Sequence, residues 1–307
     1  MTFMEQRLPK RDDLVNVLEF EDAARIVLAP AVFATIAGGD RAGFDRITFR
    51  PRMMVPTLDL DLSVELFGTT HFSPLLVGPI ADQRRYHAEG ELATARGAAA
   101  ARAAMIVSSR SSVPLAQVAG QANPPWFSVY CDGDARHQIE RAQEAGCTVM
   151  CIAAEPGRTP DWRRIEAITR GLTTPVAIKG VMTPHDAATA IGLGAKAVIV
   201  SNHGAGGSDR PSTIDALAAV VETCASRIDV LVDGGFRRGS DVAKAIALGA
   251  RGVLLGRPIM WGLAAYGTDG VDSVITLLQS ELARTLGSLG ASSLKHLTRE
   301  MIRVHRR

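Results

Sequence analysis

From about residue 71 onward the chain alternates between two textures. Short β-rich apolar runs at 74–80, 104–108, 126–130, 148–153, 175–181, 197–201, 230–233 and 252–255 are each followed by an alanine-rich amphipathic stretch. The helical patterns fall near 87–102, 113–120, 133–145, 161–171, 184–193, 213–226 and 239–248, with a last one near 272–287. Near-continuous apolar runs, rather than alternating ones, indicate strands buried on both faces, hence a parallel sheet with helices outside. Several helical stretches close on a glycine that turns the chain toward the next strand, as in Ala145-Gly146-Cys147, Leu193-Gly194-Ala195 and Leu248-Gly249-Ala250. Eight units of this regularity predict an α/β fold, a closed (β/α)8 or TIM barrel, over an open doubly wound sheet.

The first seventy residues lack this texture. Residues 18–27 read as a short helix, Ala37-Gly38-Gly39-Asp40 as a turn, and 47–66 as extended strands capping the lower end of the barrel. No low-complexity linker marks a second domain. Residues 1–70 are therefore expected to be an N-terminal helix and barrel-capping extension, and 71–307 the barrel itself.

Composition narrows the function classes. A chain of 307 residues, 47% hydrophobic, can bury one large core. Lys plus Arg is 34 against 32 for Asp plus Glu, so no polyelectrolyte signature for nucleic acid exists. Cys147 and Cys151 lie in one apolar run and read as buried strand thiols, because no second Cys/His pair follows that would complete a metal site. The N-terminus lacks a signal-peptide core, and no apolar run reaches the ~18–20 residues that cross a bilayer. The expectation is a cytoplasmic protein with no metal, membrane or nucleic-acid partner.

In barrels of this kind function collects where the C-terminal ends of the strands converge. Two of these ends are glycine-rich turns with arginines: Asp233-Gly234-Gly235-Phe236-Arg237-Arg238-Gly239 after strand seven and Gly256-Arg257-Pro258 after strand eight. Glycines let backbone N–H groups approach a ligand, and Arg237 and Arg257 can bind a phosphate. A single Gly-Gly pair would be only a tight turn; two glycine-bearing turns on adjacent strands, each with an arginine, point to a phosphate grip. Lys179 ends Val176-Ala177-Ile178-Lys179, where it either snorkels to solvent or faces an anion or electron-rich ring. His203 follows Val198-Ile199-Val200-Ser201-Asn202. A lone histidine is often structural, but at a strand's upper end it can take a proton from a substrate hydroxyl. His71, His137 and His185 fall outside strand ends and read as surface residues.

Ser201-Asn202-His203-Gly204-Ala205, the strand-seven segment through Val242, and Leu255-Gly256-Arg257-Pro258 resemble the FMN-dependent 2-hydroxy-acid oxidase and dehydrogenase family, which includes glycolate oxidase, lactate oxidase and mandelate dehydrogenase. The likeness extends from Phe49-Arg50-Pro51-Arg52 through Gly90-Glu91-Leu92-Ala93-Thr94-Ala95-Arg96 to the region of Leu294. It implies an FMN oxidoreductase, a homo-oligomer acting on a small molecule. The implied FMN contacts are Pro79, Ile80, Ala81, Ser108, Ser128, Lys179, Ser201, Asp233, Gly235, Arg237, Gly256 and Arg257. His203 is similar to the family base, Lys179 to the lysine beside the flavin, and Tyr130 to a tyrosine that contacts substrate.

The substrate side departs from the family. Gly206 stands where the first carboxylate-binding arginine belongs, and Thr35 where a tyrosine is expected. Ala154 aligns with the aspartate that orients the histidine, with Glu155 adjacent, and the segment 155–161 is much shortened, leaving the second arginine without a counterpart. Ile80 replaces a threonine and Ser128 a glutamine. Either Arg110 or Arg158 has taken over anion binding, or the substrate lacks the carboxylate. Beside oxidation of a hydroxyl- or amine-bearing carbon, an FMN-dependent isomerase and an FMN-binding protein that has lost turnover remain open on the sequence.

Overall fold

The computed structural model describes residues 7–51, 55, 59–121, 124–154, 160–205 and 211–305. The eight apolar runs form a closed parallel barrel in chain order: β1 (Leu75–Val77), β2 (Ala104–Ser108), β3 (Trp126–Tyr130), β4 (Met150–Ala153), β5 (Val176–Val181), β6 (Ala197–Val200), β7 (Asp229–Asp233) and β8 (Gly252–Leu255). Closure runs through Val253↔Leu75, Leu254↔Leu76 and Leu255↔Val77. Every residue of β4, β6 and β8 is buried, as strands enclosed on both faces require. Helices cover the outside in the expected order, from Glu91–Ala100 to Gly239–Ala247. Gly146, Gly194 and Gly249 take the left-handed conformation that returns the chain to the next strand.

The pairing of β5 with β6 is irregular. Lys179 pairs with Ile199 and Val181 with Val200, which leaves Gly180 as an extra residue at a bulge. A bulge bends its strand and re-aims the neighbouring side chain. Here it sits beside Lys179 and below His203.

Two expectations for the ends of the chain need correction. Residues 47–66 do not form continuous strands. Ile47–Phe49 pairs antiparallel with Ile302–Val304, a C-terminal strand without a sequence signal, and Val64–Leu66 forms a hairpin with Thr69–His71. The hairpin caps the lower end: Phe67 packs edge-on against Trp126 at the start of β3, and Arg251, just before β8, donates to the carbonyl of Glu65. Secondly, helix follows β8 at once, spanning Arg257–Ser288 with non-helical backbone at Tyr266 and Gly267. Its first part, with Ile259, Met260, Trp261 and Leu263 all buried, has no polar face. The amphipathic period that reveals helices in sequence is therefore missing.

The N-terminal helix Val17–Val27 starts at a capping box formed by Asn16 and Glu19 and packs on the long last helix. Its continuation passes over the upper mouth of the barrel, where Trp261 Nε1 donates to Ile36 O at 2.9 Å. No helix among the described residues is long and apolar enough to cross a membrane.

Candidate active site

A cavity of about 320 Å³ opens at the C-terminal ends of the strands. It is lined by Pro79, Ile80 and Ala81 after β1, Ser108, Ser128 and Tyr130 from β2 and β3, Lys179 from β5, His203 after β6, Asp233, Gly235 and Arg237 after β7, and Gly256 and Arg257 after β8. Ser201 lies just beneath, 1% exposed. Arg110 is not in the wall; its guanidinium lies over the Tyr130 ring, 4.0 Å from the centroid. Gly206, Glu155 and Arg158 fall outside the described residues.

Lys179 is held at the cavity floor, 5% exposed. Its Nζ donates to Ser201 Oγ at 2.6 Å and lies 2.9 Å from Asp233 Oδ2, to which Ser201 also donates at 2.7 Å. Pairing and hydrogen bonding are what make a buried ammonium tolerable. The lysine does not snorkel. Asp233 Oδ1, by contrast, is buried without a partner. An orphan carboxylate oxygen on a cavity wall is costly unless a ligand donates to it.

Above the floor three arginines converge. Arg237 is 3% exposed, stacks 4.5 Å over the Trp261 ring, and donates to Phe236 O and Gly38 O. Arg257 donates to Gly204 O at 2.6 Å. Arg41 donates to Gly235 O and forms an ion pair with Asp241 at 2.8 Å. Burial first, then repulsion from Arg257 and Arg41, lowers the Arg237 guanidinium to about 10, so it stays cationic at neutral pH. A buried guanidinium with Arg257 beside it, between glycine-bearing turns, is suited to an anion such as phosphate. The N-terminal segment completes this grip. Gly39 combines a φ of 146° with close approach: a side chain there would meet Arg237 Nη2 and Arg257 Nη1, each at 2.7 Å, and both guanidinium groups would have to shift.

His203 adopts a left-handed backbone (φ 55°), and its N–H donates to Ser201 Oγ at 3.2 Å. Its ring stacks on Tyr130 with centroids 6.3 Å apart. Nε2 is buried without a partner, facing the ground above Gly180 where Ala154 also lies: a Cβ at Gly180 would meet Nε2 at 3.0 Å and Ala154 Cβ at 3.1 Å. Among the described residues no carboxylate reaches the ring. Burial, then Lys179, lowers the imidazole to about 4, against an opposing pull from Asp233. The histidine is thus neutral across the physiological range.

Thr35 is expected from the sequence on the substrate side of the cavity, whereas Tyr86 is not singled out by the sequence. Thr35 and Tyr86 both line it, and Thr35 Oγ1 lies 3.1 Å from Tyr86 OH. Tyr86 belongs to the loop after β1 and is one of only three tyrosines in the chain, the one signal that could have singled it out. His71 is not a surface residue: it is half-buried against Trp126 at the opposite end of the barrel. Among the described residues no group of three or more His, Cys, Asp or Glu is placed to hold a metal ion.

The family model described as "FMN-dependent dehydrogenase" matches residues 35–155 and 152–304. Its two matched stretches meet at the end of β4. A peroxisomal (S)-2-hydroxyacid oxidase of Arabidopsis thaliana is 33% identical over 353 aligned positions, covering 95% of this chain and 97% of that protein. An L-lactate oxidase of Nostoc sp. is 33% identical, covering 92% and 96%. The crystal structure of a mandelate oxidase with (S)-2-phenylpropionate superposes with a TM-score of 0.89 at 32% identity, covering 96% of this chain and all of that one.

Proposed function

Because the chain belongs to the FMN-dependent dehydrogenase family, as an FMN-dependent oxidoreductase of the 2-hydroxyacid oxidase type, we propose that this cavity oxidises a hydroxyl-bearing carbon with His203 as the base. The observation that carries the reading is a neutral imidazole at about 4, stacked on Tyr130, in the same cavity as the phosphate grip and the buried ammonium of Lys179.

The residues present suit FMN. Arg237 and Arg257, with the Gly235 and Gly256 turns, would hold its phosphate, and the orphan Asp233 Oδ1 would accept from a hydroxyl of its ribityl chain. Lys179 would set a positive charge against its ring system. Bound FMN supplies the acceptor for the hydride equivalent lost by the substrate carbon. His203 takes the proton from the hydroxyl, and Tyr130 fixes the plane of the imidazole. Arg110, resting on Tyr130, is the cation best placed to draw an anionic substrate toward that wall.

The same reading takes residues 1–70 as an extension that serves the barrel's mouth, supported by the bonds from Arg237 to Gly38 and from Trp261 to Ile36. It also takes the protein to work in a reducing cytoplasm, supported by the buried thiols of Cys147, Cys151 and Cys224, and as a homo-oligomer, to be checked by its mass in solution. Anaerobic mixing of the yellow protein with a panel of 2-hydroxy acids, alcohols and amines tests the core of the proposal. Bleaching by a hydroxy acid with formation of the 2-oxo acid supports it. A flavin that no member of the panel reduces counts against it, and favours a binding protein whose histidine has lost its carboxylate partner.

A further inference from the structure

The geometry points to Tyr86 as a specificity-determining residue that holds the substrate's carboxylate, with Thr35 as its resting partner; this rests on the reading of the cavity as that of an FMN-dependent hydroxy-acid oxidase. The starting point is a count of protons. Thr35 Oγ1 donates to Val32 O at 2.7 Å, which uses its only proton. The proton in the 3.1 Å contact with Tyr86 must therefore come from the phenol. In the absence of substrate Tyr86 donates to a neutral hydroxyl, a modest acceptor. A carboxylate is a better one, because hydrogen bonds to ionised acceptors are roughly twice as strong as neutral ones. Thr35 is exposed and can take water in exchange, so the switch leaves no buried orphan.

The loop that carries Tyr86 is fixed rather than free to adapt. Gln83, 1% exposed, accepts from Thr94 Oγ1 at 2.6 Å, and its backbone N–H donates to the fully buried carboxylate of Glu91. The same carboxylate accepts from Ser112 N and Oγ, and Ser112 Oγ in turn accepts from Arg84 N at 3.1 Å. Tyr86 N donates to Gln83 O at 2.9 Å. These bonds tie the loop after β1 to the loop after β2, which carries Arg110, and Asp82 N donates directly to Arg110 O. A phenol held this firmly at a cavity wall suits orientation of a ligand more than accommodation of a moving chain. Nothing in the phosphate grip or around Lys179 uses it.

The test uses FMN-loaded protein and three 2-oxo acids, glyoxylate, pyruvate and benzoylformate, with methyl benzoylformate as the uncharged control. Binding is read as a change in the flavin absorbance. Tyr86→Phe removes only the hydroxyl. It is expected to leave FMN affinity unchanged and to raise the dissociation constant of the acids by about tenfold or more, the loss typical of one hydrogen bond to a charged group. The ester should be nearly unaffected. Thr35→Val frees the phenol from its resting acceptor and should leave acid binding as tight or tighter. With a reducing hydroxy acid, Tyr86→Phe should show the same loss mainly in KM. Equal losses for acid and ester, no loss for the acids, a loss of FMN affinity, or a yellow wild-type protein whose spectrum none of the acids perturbs would each overturn the inference while leaving the cofactor reading intact. A protein that takes up no FMN would overturn both.

Discussion

Neutral His203 is the form that can accept a proton, and its burial beside Lys179 determines the pH at which that form gives way. An unperturbed histidine titrates near 6.5; in this cavity the imidazole is lowered to about 4. The difference is large where an assay can see it. At pH 5.5 an ordinary histidine would be only about 9% neutral, whereas one titrating near 4 would be about 97% neutral, a tenfold difference in the competent form. Flavin reduction followed anaerobically by stopped-flow absorbance should thus be flat from pH 8 to below 6 and fall only as pH approaches 4. His203→Asn should cut that rate by about 10²–10⁴-fold, the usual share of a general base, with FMN still bound. The sign carries over to stability. The folded state resists a proton that the unfolded chain accepts, so the contribution of His203 is complete above about pH 6.5 and declines from there toward 4. An acid limb centred near 6.5, or an Asn variant that reduces its flavin at the unmutated rate, would refute the assignment.

The other expectations concern the cofactor side and the bulge. Arg237→Ala should weaken FMN binding by about 10–150-fold, measured by fluorescence titration of the flavin, since it removes charge-assisted bonds to the phosphate. Gly39→Ala should lower the same affinity without touching the arginines chemically, because its methyl group must displace both guanidinium groups from 2.7 Å contacts. Gly180→Ala combines left-handed backbone (φ 103°) with a clash at His203 Nε2, so a stability loss of about 1–3 kcal/mol should accompany slower flavin reduction, both absent if the bulge is incidental.

The barrel was legible because its signals are local and repeated: fully apolar runs for doubly covered strands, amphipathic stretches for the helices, glycine after each of several helices. The meeting of the two glycine-bearing turns was legible for the same reason, since Asp233-Gly234-Gly235 and Gly256-Arg257 are each contiguous in sequence and line one cavity. What escaped has a common cause. The helix after β8 is buried all round and shows no period; the strand Ile302–Val304 pairs with a segment more than 250 residues earlier; and Thr35 and Tyr86 meet across 51 residues through two side chains that carry no motif. Gly39 read as a turn, and beyond its positive φ its need for glycine arises from arginines that follow two distant strands. Sites assembled by tertiary contact, without a sequence neighbour to announce them, are the ones that only coordinates reveal.

The two halves of the cavity are therefore built on different principles. The cofactor half is carried mainly by β5 to β8 and held by the Lys179–Asp233 ion pair, with Lys179, Ser201 and Arg237 almost entirely enclosed. Exchange of any one of these leaves a buried charge or polar atom unsatisfied, which is expensive. The substrate half is carried by loops after β1, β2 and β4 and by the N-terminal segment, where Tyr86, Arg110 and Thr35 are partly or largely exposed. Replacement there costs little folding energy. The departures read from the sequence fall on both halves, at Ile80 and Ser128 toward the flavin and at Thr35 and Ala154 toward the substrate. A barrel so divided can exchange its substrate contacts while retaining its flavin, and its selectivity should be movable by substitutions at Tyr86 and Arg110 that leave FMN affinity and thermal stability nearly unchanged.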